Sequence, residues 1–337
     1  MKKALACVMT GILFLLVLSA CGPRSQEDVV SALKKKYENL KSYKAEATMT
    51  LNAGEKPSKY DVEIWYKKPD YYRIHLKNTK QDLSQMILKN EEGVFVLTPQ
   101  LNKSYRFQSN WPKNGSQWYL YESLLRDIIE DPQPAFERGE DTFVFRTKTN
   151  YKHSDLQTQK ITLSQKDLKP LRVEIMNGDN KTIVDMKFKN MTFDANFDDG
   201  AFDLQKNMQS AKMDVKQTMG HSGKKSSFQV LYPTNLSSGT KMSAKKVTMD
   251  GTKKYVLQFS GDQPFTLIEQ KSQAWSDTVE PATVSGKPVN LGFAIGHMTG
   301  NSLSWTYNGT DFFLASKKLT QPQMADIARS VLGKQMK

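Results

Sequence analysis

The sequence predicts an α+β protein: a strongly curved antiparallel sheet, an open half-barrel, covered by helices and followed by a smaller α+β C-terminal domain. Three observations carry this. Between Tyr43 and Asn190 apolar and polar residues alternate in one short run after another, the pattern of half-buried antiparallel strands. Before residue 204 two stretches switch to helical spacing. After a polar segment, a second strand-rich region closes on a well-capped helix.

The chain opens with Lys2 and Lys3, then an apolar run of about 15 residues, short of the roughly 20 that span a bilayer as a lone helix. This is a secretory signal peptide. It ends at Leu18-Ser19-Ala20-Cys21, which resembles the bacterial lipobox. Small Ser19 and Ala20 let an extended backbone enter a protease, and the Cys21 thiol accepts the lipid. Residues 1–20 are then removed and the mature chain starts at Cys21 on a diacylglyceryl membrane anchor, since two acyl chains hold stably where one does not. The expected location is the outer face of the cell membrane. Gly22 leaves one-membrane and two-membrane hosts open, and Lys outnumbers Arg 40 to 8, which fits an AT-rich, Gram-positive genome. Cys7 is discarded and Cys21 is consumed, so the mature chain has no disulfide, thiolate nucleophile or cysteine metal site.

The next element is a helix. Ser25 caps it, Glu27 and Asp28 fill its first turn, and Val29, Val30, Leu33, Tyr37 and Leu40 form one stripe ending near Lys41. Ala45, Ala47, Met49 and Leu51 then alternate with polar residues, as do Val62, Ile64 and Tyr66. Strands follow at 71–76, 84–88, 93–97 and 103–107. Trp118, Tyr121, Leu124, Leu125, Ile128 and Ile129 form a second helical stripe that stops at Asp131-Pro132. Strands resume at 142–147, 159–163, 171–176 and 182–190. Nine or ten strands tend to curl, and the two helices are the candidates to cover the apolar face.

Some 317 residues after the signal favour two domains: 21–204, a polar linker at 205–227, and 228–337. The last carries strands at 229–234, 254–260, 265–271 and 292–299, then a hairpin of 303–307 and 311–315 turning at Asn308-Gly309. Thr320 to Gln323 is a capping box, and Met324, Ile327, Ala328, Val331 and Leu332 complete a helix stopping at Gly333. Charge is uneven: residues 22–204 hold 29 basic against 27 acidic side chains, residues 205–337 hold 17 against 8. A basic surface outside a membrane leans toward lipid headgroups or wall polymers and not toward nucleic acid, although exposed Lys also simply keeps proteins soluble.

Catalytic and metal patterns are missing. His75, His153, His221 and His297 show no ligand spacing. The stretch Asp194 to Gly200 fails as a calcium loop, with Asp199 where Gly is needed and Gln205 where Glu is needed. There is no phosphate loop, nucleophile elbow or dinucleotide fingerprint. No cofactor or metal is implied, and the chain reads as a non-enzyme.

Tyr66-Lys67-Lys68-Pro69-Asp70-Tyr71-Tyr72-Arg73, Asn90 to Val96 with Pro99, Ile161-Thr162-Leu163 to Pro170-Leu171-Arg172-Val173-Glu174, and Phe188 to Phe202 resemble, in order and spacing, the LolA and LolB lipoprotein-carrier superfamily. The resemblance implies an incomplete barrel closed by helices around an apolar cavity that takes acyl chains or a lipoprotein. Val62, Ile64, Ile74, Phe95, Leu124, Ile128, Val173, Ile175 and Phe188 are the expected lining; an ordinary packed core is the alternative. That superfamily's lipoprotein-handling arginine has no secure counterpart, and Arg73 reads as an edge-strand surface residue. The two-domain layout is similar to sigma-factor regulators of the RseB and MucB type, which implies the rival reading of a regulatory sensor contacting a membrane-protein partner through its basic second domain. Over its whole length the chain is similar to sporulation lipoproteins, implying a role in spore formation or envelope maintenance.

Overall fold

The computed structural model describes residues 24–52, 57–80, 84–108, 119–149, 156–218, 228–249, 251–275 and 280–331. The signal peptide, Cys21 and Trp118 lie outside them. The chain divides into two compact units, Met1–Asn39 and Leu40–Lys337. In the first, helix α1 spans Gln26–Asn39. The Asp28 amide donates to Ser25 Oγ and the Ser25 amide donates to an Asp28 carboxylate oxygen, so the expected cap is present and reciprocal.

The second unit holds two sheets. The first has twelve strands and does not close. β1 (Ser42–Leu51), β2 (Ser58–Lys67), β3 (Tyr71–Asn78), β4 (Ser84–Asn90), β5 (Gly93–Thr98) and β6 (Lys103–Phe107) run as an antiparallel meander. On the other flank of β1 come β11 (Thr182–Phe193), β10 (Pro170–Met176), β9 (Thr158–Ser164), β8 (Thr142–Lys148) and β7 (Ala135–Arg138). Register shifts at Glu46/Ala47 and Ile175/Met176 are the bulges that bend long strands.

Cross-strand pairing sorts the side chains onto two faces. On the inner face Ala45, Ile64, Ile74, Ile87 and Val96 lie in one row. Helix α2 (Tyr121–Glu130) covers part of it. The Tyr121 amide donates to the Tyr43 hydroxyl at 3.1 Å, and buried Gln159 donates to Asp127 at 2.7 Å. The opposite face carries Trp65, Arg73, Leu88 and Phe95 in one row.

That outer face is covered by a third helix where a linker is expected. α3 spans Leu204–Thr218, and Leu204, Met208 and Ala211 pack with Met86, Leu88, Phe95 and Leu97. The stripe is narrow, one apolar residue per turn among Lys, Gln and Asn, and the polar majority hides it. Its start is marked: Asp203 accepts the Lys206 amide as a cap at 2.8 Å.

The second sheet has seven strands, in the order β12 (Lys241–Met249), β13 (Thr252–Ser260), β14 (Phe265–Lys271), β19 (Thr310–Ala315), β18 (Ser302–Tyr307), β17 (Ile295–Met298), β16 (Lys287–Asn290). β15 (Ala282–Val284) leaves this region and pairs in parallel with β6 of the first sheet. The hairpin at Asn308-Gly309 has φ of 49° and 73°, both positive as a type I′ turn requires. The Thr320 capping box opens helix α4 (Gln321–Ser330). Two expected strands differ. Residues 229–234 form no strand, because Pro233 cannot donate to a ladder, and the Leu231 amide donates to the Glu269 carboxyl instead. The strand expected from 292 begins at Ile295, since Gly292 at φ 90° turns the chain there.

Glu269 is fully buried, and burial pushes its carboxyl up to about 8 against the single hydrogen bond from Leu231. A carboxyl with a raised folded pKa keeps its proton when the unfolded chain has lost it. Stability therefore falls as pH rises from the unfolded value toward about 8, at up to about 1.4 kcal/mol per pH unit. Glu269→Gln is expected to flatten that slope in urea unfolding at several pH values.

Candidate functional site

Seven of the nine expected lining residues are buried. Val62, Ile64, Ile74, Leu124, Ile128, Val173 and Ile175 are each 0–2% exposed; the five strand residues share the inner face, and Leu124 and Ile128 lie on the buried side of α2. Phe188 shares that face, opposite Ala47, but is only half-buried. Phe95 is the exception. It pairs with Leu88, points to the outer face and packs against α3. On β5 alternation does not mark the inner face, because all of Val94 to Leu97 are apolar and both faces are covered.

The polar groups of this interior are held inside it. The Tyr43 hydroxyl donates to Glu122 at 2.9 Å, and burial pushes both the Glu122 carboxyl and the Tyr43 phenol up. Arg73 is not a surface residue. It is 8% exposed, donates to Asn207 of α3 and to Glu63 at 2.6 Å each, and lies 4.2 Å over the Trp65 ring. This clamp fixes α3 to the outer face.

A cavity of about 520 Å³ lies elsewhere, between the two sheets, and none of the nine expected residues lines it. The first sheet contributes Val96, Tyr105 and Phe107 from the inner face of β5 and β6. The second contributes Val256, Ile268 and Phe313, which lie in one cross-strand row of β13, β14 and β19. Polar side chains line it as well, among them Gln85, Lys254, Gln270, His297 and Asp311. Gln85 accepts the Ile295 amide at 2.6 Å, and Lys254 belongs to the lining from β13. His297 packs edge-on against Phe107, and its Nε2 contacts the Ser285 carbonyl. Burial pushes the Tyr105 phenol up to about 12, with the Asp311 charge adding to it.

The wall is locked by charge. Lys103 of β6 donates to Asp311 of β19 at 2.7 Å and to Ser272 at 2.8 Å, while Ser272 and Thr306 both donate to the other Asp311 oxygen. With the β6–β15 pairing and the Tyr105–Trp275 ring contact, these bonds hold the sheets at a fixed distance. Sequence periodicity shows which face of β13 and β14 is less apolar, but not that it faces a second sheet. A partly open volume with a mostly apolar surface and fixed polar groups at its wall suits an amphiphile.

The family described as sporulation protein YdcC-like matches residues 1–202. The sporulation protein YdcC of Bacillus subtilis is 44% identical over all of this chain and 99% of its own length. Among solved structures, the MucA/MucB complex of Pseudomonas aeruginosa aligns at TM-score 0.30 and 10% identity, covering 88% of this chain and 96% of that one. A LolA superfamily protein of Nitrosomonas europaea aligns at TM-score 0.29 and 13% identity, covering 51% and 96%. Neither superposition carries weight at that TM-score. The family match and the full-length identity do: the chain belongs to the YdcC-like family of sporulation proteins.

Proposed function

We propose that this sporulation-family protein is a non-enzymatic, lipid-anchored extracytoplasmic protein that holds an apolar or acyl ligand, free or carried by a lipoprotein, between its two sheets. The cavity carries the reading. Its volume of about 520 Å³ falls in the range of small-molecule sites, and Val96, Phe107, Val256, Ile268 and Phe313 supply an apolar surface. Leu18-Ser19-Ala20-Cys21 supports the anchor and the outer-face location.

Ile268→Trp tests the reading by filling the cavity from a half-buried position. Affinity for a fluorescent fatty acid is expected to fall by about tenfold or more, roughly 1.4 kcal/mol, with the urea midpoint little changed. Unchanged affinity would contradict it.

A further inference from the structure

The second sheet ends in an edge strand that does little for the core. β12 is its edge strand, nine residues long, and eight of the nine are exposed. β12 and its partner β13 carry Lys241, Lys245, Lys246, Lys253 and Lys254 and no acidic residue; Asp250, in the sequence between them, is the hairpin's one acid. Pairing of Lys245 with Val256 and Val247 with Lys254 puts Lys241, Lys245 and Lys254 on one face, Lys246 and Lys253 on the other. Among the described residues none of these lysines is in an ion pair. Met249, at the end of β12, is 55% exposed.

We propose that the β12–β13 hairpin is a docking surface for an anionic lipid bilayer. A layer of anionic headgroups accepts cations from both faces of a ribbon, and the exposed methionine reaches the boundary with the acyl chains. An extended peptide fits less well: lysines along an edge strand obstruct pairing with another strand. The cluster lies in the region that carries the excess of positive charge, 17 basic against 8 acidic residues after position 204. Docking needs no occupant in the cavity, so it goes beyond the reading above and can fail separately from it.

The test uses the chain from Gly22 onward, without an acyl group. It is sedimented with vesicles of phosphatidylglycerol and phosphatidylcholine in equal parts, and with phosphatidylcholine alone. Binding to the anionic vesicles only, weakening as salt is raised, is expected. The variant Lys241→Gln, Lys245→Gln, Lys246→Gln, Lys253→Gln should lose more than about a hundredfold in partitioning, at about fivefold per lysine. It should keep fatty-acid binding in solution, because Lys254 and the rest of the cavity lining are untouched, and that binding also reports that it is folded. Equal sedimentation with both vesicle types, wild-type sedimentation by the variant, or capture by teichoic-acid-bearing wall fragments but not by anionic vesicles would overturn the proposal.

Discussion

Lys103→Ala is expected to destabilise the protein by about 3–5 kcal/mol, the cost of breaking a buried pair from one side. Lys103 is 4% exposed, and its ammonium is the cation beside the partly buried Asp311 carboxylate, which among the described residues otherwise accepts from the hydroxyls of Ser272 and Thr306. Without it a carboxylate remains between the sheets with two neutral donors. The double change Lys103→Met with Asp311→Leu removes both charges and should recover most of the loss, since well-packed apolar substitutes for such pairs are often neutral. Urea unfolding of the three proteins decides this. A loss below about 1 kcal/mol for Lys103→Ala would place the pair in water, as a surface ion pair. Because Lys103 and Asp311 join β6 to β19 across the cavity wall, Lys103→Ala should also weaken fatty-acid binding.

Leu124→Ala is expected to cost about 2–5 kcal/mol, the transfer of the lost methyl groups plus the void they leave. Leu124 has no exposed surface, and its neighbours Tyr121, Leu125 and Ile128 on α2 have none either. Close packing around it leaves little room for collapse. Acyl binding should not change, in contrast to Ile268→Trp. A small loss of stability with altered acyl binding would instead move the ligand site under α2. These two variants therefore separate the buried interior under α2 from the cavity between the sheets.

Much of this fold is legible in the chain. The run at 103–107 and the run at 265–271 match β6 and β14 in full, because each is a short β-prone run bounded by turn residues. Asn308-Gly309 and Thr320 to Gln323 are local chemistry, fixed by residues within four positions of one another, and they form as expected. What escapes is decided by distant contacts. α3 is polar on most of its surface and exists because Leu204, Met208 and Ala211 find the outer face of β4 and β5. Arg73 looks like a surface cation until Asn207, more than a hundred positions later, accepts from it. β7, β12, β15 and β16 are short, polar or exposed strands with weak alternation, and pairing with a neighbour alone defines them.

The candidate site divides in the same way. Alternation places Val62, Ile64, Ile74, Val173 and Ile175 on one face, and the structure brings them together under α2. Whether that face encloses space or side chains depends on volumes that no periodicity records. The cavity takes its lining from strands some 170 positions apart, such as Val96 and Ile268, and the return of β15 to β6, the Lys103–Asp311 pair and the Tyr105–Trp275 contact make them neighbours.

The cavity between the sheets is proposed to hold an amphiphile. The most direct test is mass spectrometry of lipids that co-purify with the chain from Gly22 onward, run beside Ile268→Trp. The expected result is an acyl-bearing species in stoichiometric amount on the wild-type protein and its loss from the variant; a wild-type protein free of lipid, or the same lipid retained by Ile268→Trp, would contradict it.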